Sequence, residues 1–129
     1  MPPAARQGDK IMGVDIHIIM IPSPAGEVPT PLPHPYAGTI ASNCSTNVKI
    51  GGMAAATVGS QSSFSHIPQG PRFQVQPTGI GVVQKGSATV KINGKPAARV
   101  GDICKTCFDI PGPPSMVGPP GGTTVMIGG

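Results

Sequence analysis

The chain lacks most of the residues that build a large aromatic core. It has no tryptophan, one tyrosine and three phenylalanines, whereas 36 of its 129 residues are glycine or proline. A chain with so little core usually needs a staple such as a metal ion, a disulfide or a partner subunit. Its three cysteines are an odd number, which argues against a closed disulfide framework. A charged fraction of only 11% argues against a disordered, low-complexity chain, which would be a competing interpretation of this composition.

The sequence also lacks features that are typical of nucleic-acid-binding, membrane-spanning and secreted proteins. The nine basic residues are scattered, although the net charge is +4, and nucleic-acid binding favours a clustered basic stripe. The apolar run Ile16–Ile21 has the length of a strand and is too short to span a bilayer. The N-terminus lacks the pattern of a secretory signal. If the protein leaves the cell, we therefore expect a machine to carry it.

Enzyme signals are also missing. The sequence contains no Gly-x-Ser-x-Gly elbow, no phosphate-binding loop and no His-Glu-x-x-His motif. Only five carboxylates are available as general bases. No apolar pattern with helical periodicity has a useful length, so we predict an all-β fold.

The most informative feature is a repeated unit, best seen at Val90–Asp102. Val90 and Ile92 alternate with Lys91, which indicates a strand with one buried face. Asn93-Gly94 follows and favours a type I′ hairpin turn, because both residue types tolerate a positive φ.

The unit recurs along the chain. Val48–Ser60 matches it without gaps, Val125–Gly129 repeats its first half, and Pro3–Asp9 repeats its second half. If the two halves meet, they complete a third copy. The repeats therefore predict a body with approximate three-fold symmetry and neighbouring termini.

The segments between the repeats carry the residues that can bind metal. Gly13–Ile21 is predicted to be a buried strand with His17 at its centre. Prolines at 29, 31, 33 and 35 force an extended path that cannot join a sheet interior, so we expect a stiff surface strap carrying His34. Residues 61–79 are turn-rich and include His66, and residues 103–122 are predicted to be a loop.

Two copies of one motif identify a family resemblance. Pro3–Arg6 and Pro96–Arg99, each followed by x-Gly-Asp, resemble the motif of the PAAR-repeat proteins, which cap the spike of type VI secretion systems and related contractile injection machines. Pro29–Gly38 resembles the Pro-rich insertion of a PAAR-like subgroup, so the resemblance covers essentially the whole chain. The middle copy departs from the motif, because it reads Ala54–Thr57 and then Gly59-Ser60, without the arginine and the aspartate.

The resemblance implies one structural metal ion, usually zinc, held by three histidines and one cysteine. Carried onto this sequence, the ligands are His17, His34, His66 and Cys107. Cys107 is preferred to Cys104 because Thr106-Cys107 matches a Thr-Cys pair of the subgroup. The sequence leaves open both this choice of cysteine and the choice between zinc and iron.

Simpler interpretations stand beside this one. His17 on an apolar strand is typical of a core histidine, while His34 and His66 fit exposed positions. Cys104-x-x-Cys107 is compatible with half a zinc knuckle or with a redox pair, although the latter needs a strand–helix context. Cys44 is most simply a small buried apolar residue.

Together these observations predict one all-β, cone-shaped, pseudo-three-fold domain over residues 1–129. The family implies a structural, non-enzymatic tip that binds a trimeric spike, one copy per trimer, and helps to pierce a target membrane that it contacts only transiently. It would be made in the cytoplasm, loaded on the injection machine with any effector cargo, and delivered outside the cell or into a target cell. Nucleic acid is not an expected partner, and no toxin domain is expected after residue 129. The alternative of a different class is a stand-alone metal-dependent enzyme.

Overall fold

The computed structural model describes residues 2–119 and 121–128, and in these residues the chain forms twelve β-strands and no helix. The all-β prediction is therefore confirmed. Within the described ranges no helix is available that could cross a membrane. The strands are β1 (Pro3–Ala4), β2 (Lys10–Ser23), β3 (Gly26–Ser42), β4 (Lys49–Ile50), β5 (Met53–Ala54), β6 (Gln61–Ser63), β7 (Ile80–Val83), β8 (Lys91–Ile92), β9 (Lys95–Pro96), β10 (Ile103–Lys105), β11 (Ser115–Val117) and β12 (Gly122–Met126).

Three short two-stranded units correspond to the sequence repeats. β4 pairs with β5, β8 with β9, and β12 with β1 at the other end of the chain. Asn93 and Gly94 have φ values of 54° and 80°, as a type I′ turn requires. The terminal half-units thus meet and complete a third copy, although Gly129 lies outside the described residues.

A closed ring of main-chain hydrogen bonds joins the three copies at equivalent alanines. Ala5 N–H donates to the carbonyl of Ala98, at an N–O distance of 2.9 Å. Ala98 N–H donates to Ala56, and Ala56 N–H donates back to Ala5, both at 3.0 Å. All three alanines are buried, so each bond is shielded from water. This ring confirms the approximate three-fold symmetry.

Each copy then ends in a turn that is capped in the same way. A side-chain oxygen at the end of the turn accepts the main-chain N–H of the residue three positions earlier. The middle copy uses the Ser60 hydroxyl where the others use a carboxylate, so the missing aspartate has a functional substitute. The three bonds are Arg6 N–H to Asp9 Oδ2 (2.9 Å), Thr57 N–H to Ser60 Oγ (2.9 Å) and Arg99 N–H to Asp102 Oδ2 (2.7 Å).

A closed six-stranded barrel follows these turns, in the order β10-β11-β2-β3-β6-β7. Its core contains Ile40 of β3, Val83 of β7 and Val117 of β11. The prediction of a loop over residues 103–122 is therefore wrong in part, because β10 and β11 lie within this segment and belong to the barrel. A strand of three residues has too short an alternation of side chains to be detected from the sequence.

The β2–β3 hairpin contains the two longest strands, and its second strand, β3, contains the four alternating prolines. Main-chain groups of Ile16, Ile18 and Met20 bond to residues outside β3, so these positions do not exchange hydrogen bonds with it. Pro33, Pro31 and Pro29 lie opposite them, where a missing N–H breaks no bond of the ladder. The extended path is thus confirmed, but it is a hairpin strand rather than a separate strap.

β2 has one buried face rather than being buried on both sides. Ile11, Asp15, His17 and Ile19 are buried, while Met12 and Val14 are more than 40% exposed. Side chains two residues apart share one face of a strand. Asp15 and His17 therefore enter the interior together.

Candidate metal centre

Four side chains from three parts of the chain meet at the inner face of β2. Asp15 and His17 lie on β2, His66 lies in the segment between β6 and β7, and Cys107 lies just after β10. Each offers one ligand atom, and these atoms lie within 4.8 Å of one another. The four side chains are therefore close enough to hold one metal ion.

Two of the distances within the cluster, those from Cys107 Sγ, match the edges of a tetrahedral zinc site. Cys107 Sγ lies 3.5 Å from Asp15 Oδ2 and 3.7 Å from His17 Nε2, and the latter two atoms are 4.0 Å apart. With zinc bonds of 2.0–2.3 Å, the edges of a ligand tetrahedron are about 3.3–3.7 Å. His66 Nε2 is closer to Asp15 Oδ2, at 2.9 Å, because the two share a hydrogen bond. Imidazole, thiolate and carboxylate are all zinc ligands, so the donor set also fits.

Burial favours the metal-binding form of His17 and disfavours that of Cys107. His17 is fully buried, and desolvation lowers its pKa, which favours the neutral ring that binds metal. Burial, with Asp15 as a smaller cause, raises the pKa of the Cys107 thiol to about 11. Metal binding at Cys107 must therefore displace a proton.

His34 lies beside the cluster rather than within it. Its ring centroid is 5.5 Å from that of His17 and 5.9 Å from that of His66. Its Nδ1 donates to the carbonyl of Leu32 at 2.9 Å, and its Nε2 accepts the Gln69 N–H at 3.1 Å. Both ring nitrogens are thus engaged. The predicted set of His17, His34, His66 and Cys107 stays a prediction, three of whose members meet in the cluster.

Asp15 is the member of the cluster that sequence reasoning missed. It is fully buried, and its second oxygen accepts a hydrogen bond from the Thr106 hydroxyl, which also contacts Ser115 Oγ at 3.0 Å. The available signal was its position two residues before His17, because this spacing places both side chains on one face of a strand.

The other two cysteines lie in different surroundings. Cys104 belongs to the apolar core of the barrel, and its Sγ lies 3.6 Å from the carbonyl of Asp102. Burial raises the pKa of its thiol to about 12. Cys44 is partly buried and packs against the same core. Neither cysteine belongs to the cluster.

Comparison with known families gives one match. The family model described as PAAR motif matches residues 33–107 and residues 73–129. The two matches overlap and together extend over most of the chain, including the region of the repeat with the Asn93-Gly94 turn. A search of curated proteins found no match.

Proposed function

Because the chain belongs to the PAAR motif family, we propose that it is a structural tip protein that caps the trimeric spike of a contractile injection machine. The family is associated with spike tips of these machines and is structural rather than enzymatic. Capping, sharpening and membrane piercing by this chain are our proposal.

The observation that carries the proposal is a three-fold apolar face formed by the repeat units. Val48, Val90 and Val125 occupy equivalent positions and are 36%, 37% and 38% exposed. The same units share a small core to which each contributes one isoleucine and one alanine: Ile50 with Ala55, Ile92 with Ala97, and Ile127 with Ala4. One copy thus presents three nearly identical apolar surfaces, which match the symmetry of a trimer.

The metal cluster would strengthen the other end of the molecule. It lies along the β2–β3 hairpin, which runs from the turn at Asp9 toward its own tip at Ser23–Gly26. A bound zinc ion would supply four directional bonds that join β2 to the two segments carrying His66 and Cys107. We propose His17, His66 and Cys107 as three ligands, with His34 and Asp15 competing for the fourth position.

This architecture supports a mechanical role. A site with four protein ligands leaves no open position for a reacting water, as a catalytic zinc would require. The tip would be made in the cytoplasm, loaded on the machine with any effector cargo, and carried out of the cell or into a target cell. Contact with the target membrane would be transient, and we propose no nucleic-acid partner.

One feature favours the alternative of a metal-dependent enzyme. A cavity of about 160 Å³ lies beside the cluster and is lined by His34, Phe64 and His66, among others. A site open to this cavity would bind an exchangeable water or a small ligand at the metal. Addition of azide or cyanide to Co²⁺-loaded protein tests this: a change in the visible spectrum favours the enzyme, and an unchanged spectrum favours the closed structural site.

Binding stoichiometry tests the tip function. The protein is mixed with the trimeric spike from the same source, and native mass spectrometry counts the copies bound. We expect a monomer alone and one copy per spike trimer. Three copies per trimer would show that the pseudo-three-fold face is not the docking surface.

A matched pair of variants localises the interface. Val90→Asp places a carboxylate on the apolar face and should weaken spike binding by at least about ten-fold, because a charge must then be desolvated. Lys91→Asp places the same carboxylate on the opposite face of the strand and should bind within about three-fold of the parent. Equal losses in both variants would contradict docking through the valines.

A further inference from the structure

His17 has one ring nitrogen directed at the metal cluster and one directed away from it. Nε2 lies 3.7 Å from Cys107 Sγ, while Nδ1 is buried and lacks a well-aligned hydrogen bond within the described part of the chain. The carboxylate oxygen Oδ1 of Asp109 lies 3.4 Å from that Nδ1. This separation is only slightly longer than the usual length of an N–H···O hydrogen bond, about 2.7–3.2 Å.

Asp109 is held firmly in this place by the main chain on either side of His17. Its Oδ2 accepts the N–H of Ile18 at 2.9 Å, and its own N–H donates to the carbonyl of Ile16, also at 2.9 Å. Ile110 N–H donates to the same carbonyl at 3.2 Å. Since Asp109 follows Cys107 by two residues, the segment that delivers the thiol also delivers the carboxylate.

We propose that Asp109 is the positioning residue of the metal centre: it accepts the Nδ1–H of His17 and thereby turns the lone pair of Nε2 toward the ion. This inference rests on the proposed metal site. A neutral imidazole carries one proton, and the group that hydrogen-bonds one nitrogen decides which nitrogen is free to coordinate. A carboxylate accepts only, so it selects the tautomer with the proton on Nδ1.

A purely structural role for Asp109 is the competing explanation, since its bond to Ile18 N–H already fastens a loop to β2. The variant Asp109→Asn separates the two roles. If its amide oxygen keeps the bond to Ile18, the amide NH₂ faces His17 Nδ1 and favours a proton on Nε2, where it blocks coordination. Asp9→Asn is the matched control, because Asp9 also accepts a main-chain N–H, from Arg6, but lies outside the cluster.

The experiment measures three quantities on the full-length protein. Competition with a chromophoric chelator gives the zinc dissociation constant, a long-range ¹H–¹⁵N spectrum of the zinc form gives the His17 tautomer, and a thermal melt of metal-free protein gives the structural cost. We expect Asp109→Asn to weaken zinc binding 10–100-fold, as is typical for loss of such a partner. The metal-free melt should shift no more than that of Asp9→Asn, and Asp109→Glu should recover part of the affinity.

The outcomes discriminate clearly. Zinc affinity of Asp109→Asn within about two-fold of the parent would overturn the proposal, and so would a proton on Nε2 of His17 in the parent zinc form. A loss of affinity matched by Asp9→Asn would likewise overturn it, since the effect would then be general. Failure of the parent itself to bind zinc would refute the proposed metal centre rather than the role of Asp109 alone.

Discussion

At the scale of single residues, Cys107 and Cys104 differ in burial and in the side chains around them. Cys107 lies among side chains that can bind a metal ion, with His17 Nε2 at 3.7 Å from its Sγ. Cys104 lies only three residues earlier but is enclosed by the apolar core of the barrel, which raises the pKa of its thiol to about 12. Because only Cys107 lies among other donor side chains, it is the better-placed ligand of the two.

We therefore predict that Cys107→Ser loses most of its metal, whereas Cys104→Ser and Cys44→Ser retain it. Elemental analysis of protein purified without added metal measures this. Stoichiometric metal in Cys107→Ser together with loss in Cys104→Ser would show that the wrong cysteine has been assigned.

The same assay identifies the fourth ligand. Asp15→Asn should reduce the metal content if Asp15 coordinates as its distances suggest, and His34→Asn should do so if His34 coordinates as the family resemblance implies. Each variant is the control of the other, because both side chains are fully buried at the same end of the barrel.

At the scale of elements, one turn design is repeated with different side chains. Ser60 is fully buried, accepts the N–H of Thr57 and donates to the carbonyl of Asn43 at 3.0 Å. The hydroxyl thus caps the turn as a carboxylate does in the other two copies. It also adds a link to the end of β3 that an acceptor-only carboxylate does not provide.

We predict that Ser60→Ala lowers the free energy of unfolding by about 1–3 kcal/mol, because it leaves the buried N–H of Thr57 without a partner. Denaturant unfolding measures the change. Ser63→Ala is the control, since Ser63 lies in the adjoining strand β6 but is exposed and should change stability by less than about 0.5 kcal/mol. Equal changes in the free energy of unfolding in the two variants would contradict the capping role of Ser60.

At the scale of the whole molecule, long-range links hold together a chain with a small core. The two ends pair as β1 and β12, and the alanine ring joins the three repeats. The metal cluster joins three further segments, from β2 to the segment after β10. Because such an ion would close long loops in the folded state, we expect it to have a large effect on stability.

We predict that removal of the metal lowers the melting temperature by tens of degrees or unfolds the protein. Structural zinc contributes on the order of 10 kcal/mol in small peptides, and 1 kcal/mol corresponds to about 4 °C in a domain of this size. The measurement is a thermal melt with and without a strong chelator, after elemental analysis has verified that the metal has left. An unchanged melt in metal-free protein would mean that the repeat core is sufficient by itself.

Mild acid should act in the same direction. Burial lowers the pKa of His17 below its ordinary value of 6.5, so the unfolded chain binds more protons than the folded chain just below that pH. The free energy of unfolding therefore falls as the pH decreases through this window and is insensitive to His17 above it. Protonation also competes with metal at each histidine ligand. A melting temperature that rises as the pH is lowered from 7 to 5 would contradict this prediction.

Local patterns in the sequence determined the repeats, the Asn93-Gly94 turn and the extended proline segment. These features depend on backbone preference and on strand alternation, which act between neighbouring residues. Only the tertiary structure decided which polar groups meet. Asp15 lies in the cluster with His17, His66 and Cys107 because tertiary packing brings together segments that are far apart in sequence. The barrel strands β10 and β11 escaped detection for the same reason, since three residues carry too little pattern and gain their order from the strands beside them.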